Sequence, residues 1–193
     1  MQATDWDARY AEKAQWSTGP NALIAAELDG LPPGRAVDLA AGEGRHARWL
    51  AGRGWDVTAV DFSGVGLDRG RAAPGGDAVR WVVADVLSWA PAEPVALDLV
   101  LVAYLHLPGT DTVALLTRAV GWLAPGGRLL VLGHDVENTT RGVGGPQDPA
   151  ILHSVDRLAP VAALLEVDRL AQVERPTPAG TALDTLLLGR RGR

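Results

Sequence analysis

Cysteine is absent from the 193 residues, which excludes disulfides, thiolate metal sites and a cysteine nucleophile. Lysine is almost absent too, Lys13 being the single one among 18 basic residues. Against 23 acidic residues these leave a formal charge of -5 and a pI near 5.3. Such a chain offers no basic field to a phosphate backbone, so nucleic acid is a poor partner and small molecules become the expected ligands. No apolar run approaches the roughly 20 residues that a membrane helix needs. The first residues, "MQATDWDARYAEKAQW", carry Asp5, Asp7 and Glu12 where a secretory signal has its apolar stretch. The expectation is a cytoplasmic protein without a membrane partner, monomeric or homodimeric. The 4 histidines are scattered and show no metal spacing, so no metal is expected. Phenylalanine and tyrosine are scarce, at 1 and 2, while tryptophan reaches 7. Most of the tryptophans, such as Trp49 and Trp81, fall on strand or helix faces where packing accounts for them.

What is present has a rhythm. With 47% hydrophobic residues the chain is long enough for one core and short for two, so residues 1–193 are expected to form a single domain. Short β-branched runs alternate with helical ones, the pattern of a parallel sheet covered on both faces. Strands are predicted at 35–40, 56–61, 79–84, 97–103 and 127–134. The helix after the first strand places Ala47, Leu50 and Ala51 on one face. A second helix, at 110–123, stripes Leu116, Ala119, Val120 and Leu123, with Thr110 as its N-cap and "APGG" as its stop. "SWAPAEP" is too rich in proline for much helix between the third and fourth strands. At the carboxyl end "LLEVDRLAQVERP" and "GTALDTLLLGRR" are joined by the short "TPAGT", which can connect only antiparallel neighbours. Residues 137–150, "ENTTRGVGGPQDPA", read as a long loop after the fifth strand.

The chemistry concentrates in "VDLAAGEGRHARWL", residues 37–50. In an open parallel sheet ligands sit beyond the carboxyl ends of the strands, and "DLAAGEG" ends the first strand and opens a helix there. Gly42 and Gly44 allow close backbone approach and positive φ. Gly42, Gly44 and Ala47, with Asp61 about 20 residues on, also fit the loose dinucleotide pattern, so a nicotinamide oxidoreductase is an alternative at this point. Three carboxylates lean the other way. Asp38, before the turn, would repel a pyrophosphate and favour an amino group. Asp61, ending the second strand, can accept from both hydroxyls of a ribose. Asp85, after the third strand, can accept from the exocyclic amine of adenine. Amino group, ribose and adenine together describe S-adenosylmethionine.

Nearly the whole chain resembles a small class I S-adenosylmethionine-dependent methyltransferase of the compact bacterial kind related to tellurite-resistance and thiopurine-type enzymes. The resemblance lies in "DWDARY", "WSTGPN", "VDLAAGEGRHARWLAGRGWDVTAVDFS", "ADV", "DLVLVAYLHLP", "LAPGGRLLVLGHD" and "GVGGPQDP". It implies an α/β, doubly wound, Rossmann-like sheet of seven strands in the order 3-2-1-4-5-7-6, with strand 7 antiparallel and helices on both faces. It further implies that Asp38 and the turn through Gly44 hold the methionine part of the cofactor and Asp61, with Phe62 beside it, the ribose. Asp85 with the Val86 backbone would read adenine, and backbone at Val102 and Ala103 would close the site. The family's first glycine in this motif is Ala40 here, and its frequent cysteine is Ala41. Residues 1–30 would form an amino-terminal helical lid, with Trp16 over the cofactor or acceptor.

For the acceptor, the candidates follow the fourth and fifth strands. Tyr104 and His106, in "AYLHLP", should face the leaving methyl, where His106 would serve as general base for a hydroxyl or amine acceptor. An anionic or thiolate acceptor would need no base. His134 is the second candidate base, with the adjacent Asp135 able to orient it, although consecutive strand residues point to opposite faces. Arg141 in the glycine-rich loop adds a site for an anionic group. His46 and His153 read as surface or capping residues. The expected activity is methyl transfer to a small acceptor, with anionic and chalcogen-containing molecules as the candidates. A non-catalytic S-adenosylmethionine-binding domain is the other reading kept beside the oxidoreductase.

Overall fold

The computed structural model describes residues 3–14, 17–92 and 96–192. Its backbone divides into two compact units, Met1–Leu101 and Val102–Arg193. The strands of both belong to one seven-stranded sheet in the order β3-β2-β1-β4-β5-β7-β6.

In the first unit, helices α1 (Ala3–Glu12) and α2 (Ala22–Glu27) precede β1 (Arg35–Leu39). Then α3 (Arg45–Ala51), β2 (Asp56–Asp61), α4 (Gly64–Ala72) and β3 (Val79–Val83) alternate before β4 (Leu97–Ala103). β1 and β2 pair in parallel, as do β2 and β3, with Leu39 opposite Val60 and Asp61 opposite Val83. Parallel pairing is why the carboxyl ends of these strands, and the carboxylates that follow them, gather along one edge. Leu39, Ala47, Leu50, Val60 and Leu67 are fully buried, and each buried leucine stabilises by about 1.5–3 kcal/mol relative to exposure. His46, read from sequence as a surface or capping residue, is instead buried on the inner face of α3. Its Nε2 accepts the backbone N–H of Asn21 at 3.2 Å. Burial, with Arg45 beside it, lowers its pKa to about 3, so it sits in the core as a neutral, satisfied imidazole.

The second unit holds α5 (Gly109–Trp122), β5 (Leu123–His134), the single turn α6 (Asn138–Arg141), α7 (Val155–Ala162), β6 (Glu166–Thr177) and β7 (Gly180–Arg190). β7 is antiparallel to both neighbours, with His134 of β5 and Val173 of β6 each opposite Asp184. The expected closing hairpin is therefore present, and Thr177 ties its turn by donating to the Gly180 carbonyl at 2.7 Å. Two local expectations need correction. α5 begins one residue earlier than predicted, with Pro108 as its cap, so Thr110 lies inside the first turn and caps nothing. "APGG" does not separate helix from strand, since β5 already starts at Leu123. Gly126 donates to the Arg191 carbonyl at 2.8 Å and Arg191 to that of Gly127 at 2.8 Å, which holds these residues in the sheet. The predicted loop at 137–150 carries α6 and leads into a 3-10 turn at Pro149–Ile151.

Candidate functional site

The turn after β1 is built by three successive left-handed positions, Ala40 at φ 56°, Gly42 at 57° and Gly44 at 62°. Ala40 is one of only two non-glycine residues at positive φ among the described residues, the other being Tyr104. The chain thus uses the glycine conformation where it lacks the glycine. Gly44 serves a second purpose that its sequence position does not reveal. A Cβ there would run into the indole of Trp81 on β3, so part of its smallness is demanded by packing.

Two buried carboxylates hold this turn. Asp61 accepts the Gly42 N–H at 2.8 Å on one oxygen and the Ser63 N–H at 2.8 Å on the other. Asp38 accepts the Ala47 N–H at 3.1 Å. Burial raises the Asp38 pKa to about 7, outweighing the Ala47 hydrogen bond and the nearby Arg45. Burial raises that of Asp61 too, against its backbone donors. A carboxyl whose ionisation burial opposes fits a cationic partner, because an ammonium group beside it would favour the charged form. These features suit the amino group and ribose of S-adenosylmethionine. Asp85 is exposed two residues after β3 and caps a turn by accepting from Leu87 N at 2.9 Å, with buried Val86 next to it. Phe62 is half-buried after Asp61.

Two residues of "DWDARY" to which the sequence assigned no role in the site fasten α1 to this region. Asp7 accepts from Ser63 Oγ at 2.6 Å and from Val65 N at 3.2 Å. Tyr10 is buried against Gly66, where a Cβ would come within 2.9 Å of its ring. Trp16, the expected lid residue, lies outside the described residues.

The second unit contains a dense polar cluster. Ala103 ends β4 and is half-buried, and Tyr104 follows at φ 59° with its N–H on the Leu132 carbonyl at 2.6 Å. His106 Nε2 accepts the backbone N–H of His134 at 3.0 Å. The two rings are stacked with centroids 5.3 Å apart. Burial, with His153 and His134 nearby, lowers the His106 pKa to about 3. The cluster's centre is Asp184 on β7, which is fully buried. It accepts from Tyr104 Oη at 2.8 Å and from Arg175 Nε at 2.6 Å. His134 Nδ1 stands 3.2 Å from its other oxygen, off the line of a formed hydrogen bond. Burial pushes the Asp184 pKa up, but the approach of His134, Arg175 and Tyr104 prevails and holds it at about 2.

Three sequence expectations change here. The carboxylate beside His134 is Asp184, not the adjacent Asp135, whose side chain faces away. Asp135 instead accepts from Thr185 Oγ1 at 2.5 Å and Gln172 Nε2 at 2.9 Å. His153, expected on the surface, is buried, with its ring centroid 5.5 Å from that of His106. Arg141 is exposed and occupied by Glu137 and by Gln172 Oε1 at 3.0 Å. Asp184 and Arg175 were missed altogether, although a single aspartate inside the apolar run "TALDTLLLG" was a visible signal. Among the described residues no group of three or more histidines and carboxylates could hold a metal ion, and no helix is long and apolar enough to cross a membrane.

Known proteins bear on this arrangement. Residues 36–127 match the model of a family described as "Methyltransferase domain". The chain is 30% identical to trans-aconitate 2-methyltransferase of Methylobacterium radiotolerans, over 93% of this chain and 77% of that one. Its fold resembles TehB from Haemophilus influenzae, with a TM-score of 0.76 at 14% identity over 96% of this chain and 67% of the other. It also resembles the N-methyltransferase NodS from Bradyrhizobium japonicum in complex with S-adenosyl-L-homocysteine, with a TM-score of 0.69 at 17% identity over 97% of each chain.

Proposed function

The chain belongs to the class I S-adenosylmethionine-dependent methyltransferases, and on that premise we propose that it methylates a small anionic acceptor, with trans-aconitate the first compound to test. The observation that carries the cofactor half is the pair of buried carboxylates, Asp38 and Asp61, fastened to one left-handed turn by Ala47 N and Gly42 N. In this reading Asp38 takes the amino group of the methionine moiety and Asp61 the two ribose hydroxyls. Asp85 and the Val86 backbone take the adenine, with Phe62, Ala40, Gly42 and Gly44 around the ligand. Residues 1–30 act as a lid, a role supported by the attachment of Asp7 to Ser63.

When bound, S-adenosylmethionine supplies an electrophilic methyl group on a sulfonium, open to in-line displacement. The chain's contribution is then alignment and exclusion of water, with little covalent chemistry of its own. His106 is poorly suited to remove a proton. Its Nε2 lone pair is committed to the His134 N–H, and burial keeps the ring neutral. An acceptor that arrives already ionised needs no base, which favours an anion over an alcohol or amine. The relative's substrate, trans-aconitate, is of that kind.

The test is calorimetry followed by turnover. S-adenosylhomocysteine should bind in the micromolar range, and Asp61→Ala should weaken binding about 100-fold, the loss of two charge-assisted hydrogen bonds. Release of S-adenosylhomocysteine from S-adenosylmethionine is then followed with carboxylates, thiols, oxyanions and amines as acceptors. Turnover confined to amines or alcohols refutes the anionic acceptor. Binding of NADH in place of S-adenosylhomocysteine refutes the assignment of Asp38.

A further inference from the structure

A cation is needed wherever an anionic acceptor is to be held, and sequence alone pointed to Arg141. That side chain is spent on Glu137 and Gln172 at an exposed loop. The polar cluster of the second unit contains a better placed one. Arg175, on β6, lays its Nε and Nη2 edge along Asp184, at 2.6 and 3.4 Å. Its guanidinium carbon lies 5.4 Å from the centre of the Tyr104 ring, so the group is clamped at its edge and covered on one face. Asp184 has no exposure to solvent, whereas 29% of the Arg175 side chain remains open. A guanidinium has five N–H donors; Asp184 takes two of them and the Tyr104 hydroxyl also interacts with the group.

Resting on the methyltransferase reading above, we propose that Arg175 binds the anionic group of the acceptor and that Asp184 is the positioning residue that presents it. A buried carboxylate behind an arginine fixes the plane of the guanidinium, and a planar fork matches a carboxylate in two hydrogen bonds at once. Tyr104 shares the same carboxylate through its hydroxyl at 2.8 Å. Its left-handed backbone, at φ 59°, stores strain of the kind found where a side chain must be held in one place. His134 closes the far side of Asp184, its ring pressed on Gly145, where a Cβ would come within 2.7 Å. Three side chains, from β5, β6 and the segment after β4, thus converge on the Asp184 carboxylate of β7, and among the described residues Arg175 is the arginine paired with it. Leu186, Leu187 and Leu188 continue the same strand as ordinary core.

The experiment compares wild type with Arg175→Met and Arg175→Lys, using trans-aconitate, citrate and succinate as probes and S-adenosylhomocysteine as the reference ligand. Expected is a rise in the KM or Kd of the carboxylate of about 100-fold in Arg175→Met and about 10-fold in Arg175→Lys, the range for truncating one partner of a charged pair. kcat and S-adenosylhomocysteine affinity should stay within about threefold of wild type, since the change removes binding common to ground and transition states. Asp184→Asn should lie between the two arginine variants, and its melting curve checks that it folds. A KM unchanged within twofold in Arg175→Met overturns the assignment. So does wild type that binds S-adenosylhomocysteine but neither binds nor methylates any of the three carboxylates, and in that case the methyltransferase reading stands without it. Wild type that fails to bind S-adenosylhomocysteine removes both.

Discussion

Ala40 stands in the left-handed region at φ 56°, a conformation that costs an L-residue with a Cβ about 1–2 kcal/mol. Replacing it by glycine removes that cost but adds freedom to the unfolded chain, which takes back about 0.4–1 kcal/mol. Ala40→Gly should therefore stabilise the protein by about 0.5–1 kcal/mol, equivalent to a rise in Tm of roughly 1–4 °C for a chain of this size. The neighbouring Ala41 provides the control. Its φ is not among the positive ones, and its N–H is bound to the Val60 carbonyl at 3.1 Å. Ala41→Gly meets only the entropic loss and should lower Tm by a similar amount. The assay is thermal unfolding by circular dichroism of the three proteins without cofactor, then with saturating S-adenosylhomocysteine. Opposite signs at two adjacent alanines are the signature of backbone strain. If Ala40→Gly lowers Tm as Ala41→Gly does, the strain argument is wrong and the turn tolerates its alanine at no cost.

Gly44→Ala combines a left-handed alanine with a collision against the Trp81 indole, and should destabilise by about 2–4 kcal/mol. Trp81→Leu in the same chain should recover part of that loss in a double-mutant cycle, whereas additive losses would show that the indole is not the obstacle. Asp38 supplies a pH dependence. Its folded pKa of about 7 lies above the ordinary 3.8, so the cofactor-free fold holds the proton more tightly than the unfolded chain, and its stability falls as pH rises from about 4 to 7. Ligand binding with an ionised Asp38 then releases a proton below pH 7, and S-adenosylhomocysteine affinity should increase with pH up to about 7 and level off. Calorimetry in two buffers of different ionisation enthalpy reads that proton, and its absence at pH 6 would mean that Asp38 does not meet the amino group.

The strands were legible because each is a short apolar run bounded by glycine, proline or charge, and the closing hairpin because a short link between the last two runs permits one connection only; the strand order came from the resemblance to the methyltransferase family. The two buried carboxylates of the β1 turn were legible for a related reason. Asp38 and Asp61 lie within a residue or two of a strand's carboxyl end, so their place follows from the chain's own rhythm. The Asp184 cluster does not work that way. Tyr104 and Asp184 are 80 residues apart, and they meet only through strand pairing, whose register no local pattern discloses. His46 and His153 were misjudged because a helical or loop context says which way the backbone runs, not which face is covered. Thr110 lost its capping role to Pro108 because a proline just before a helix sets the entry conformation by itself.

The indole of Trp81 packed on Gly44 bears on how such chains drift over time. A glycine held in place from the protein's interior is under selection even in a descendant that has given up its ligand. The same residue therefore records two histories at once, and its persistence in a lineage measures the survival of the fold. Asp38 has a structural partner as well, the Ala47 N–H, but its burial works against the fold. Its burial outweighs the neighbouring Arg45 and raises its pKa to about 7, a cost to the cofactor-free fold that the amino group proposed above would offset, so a lineage in which that proposed role had lapsed would be free to replace it.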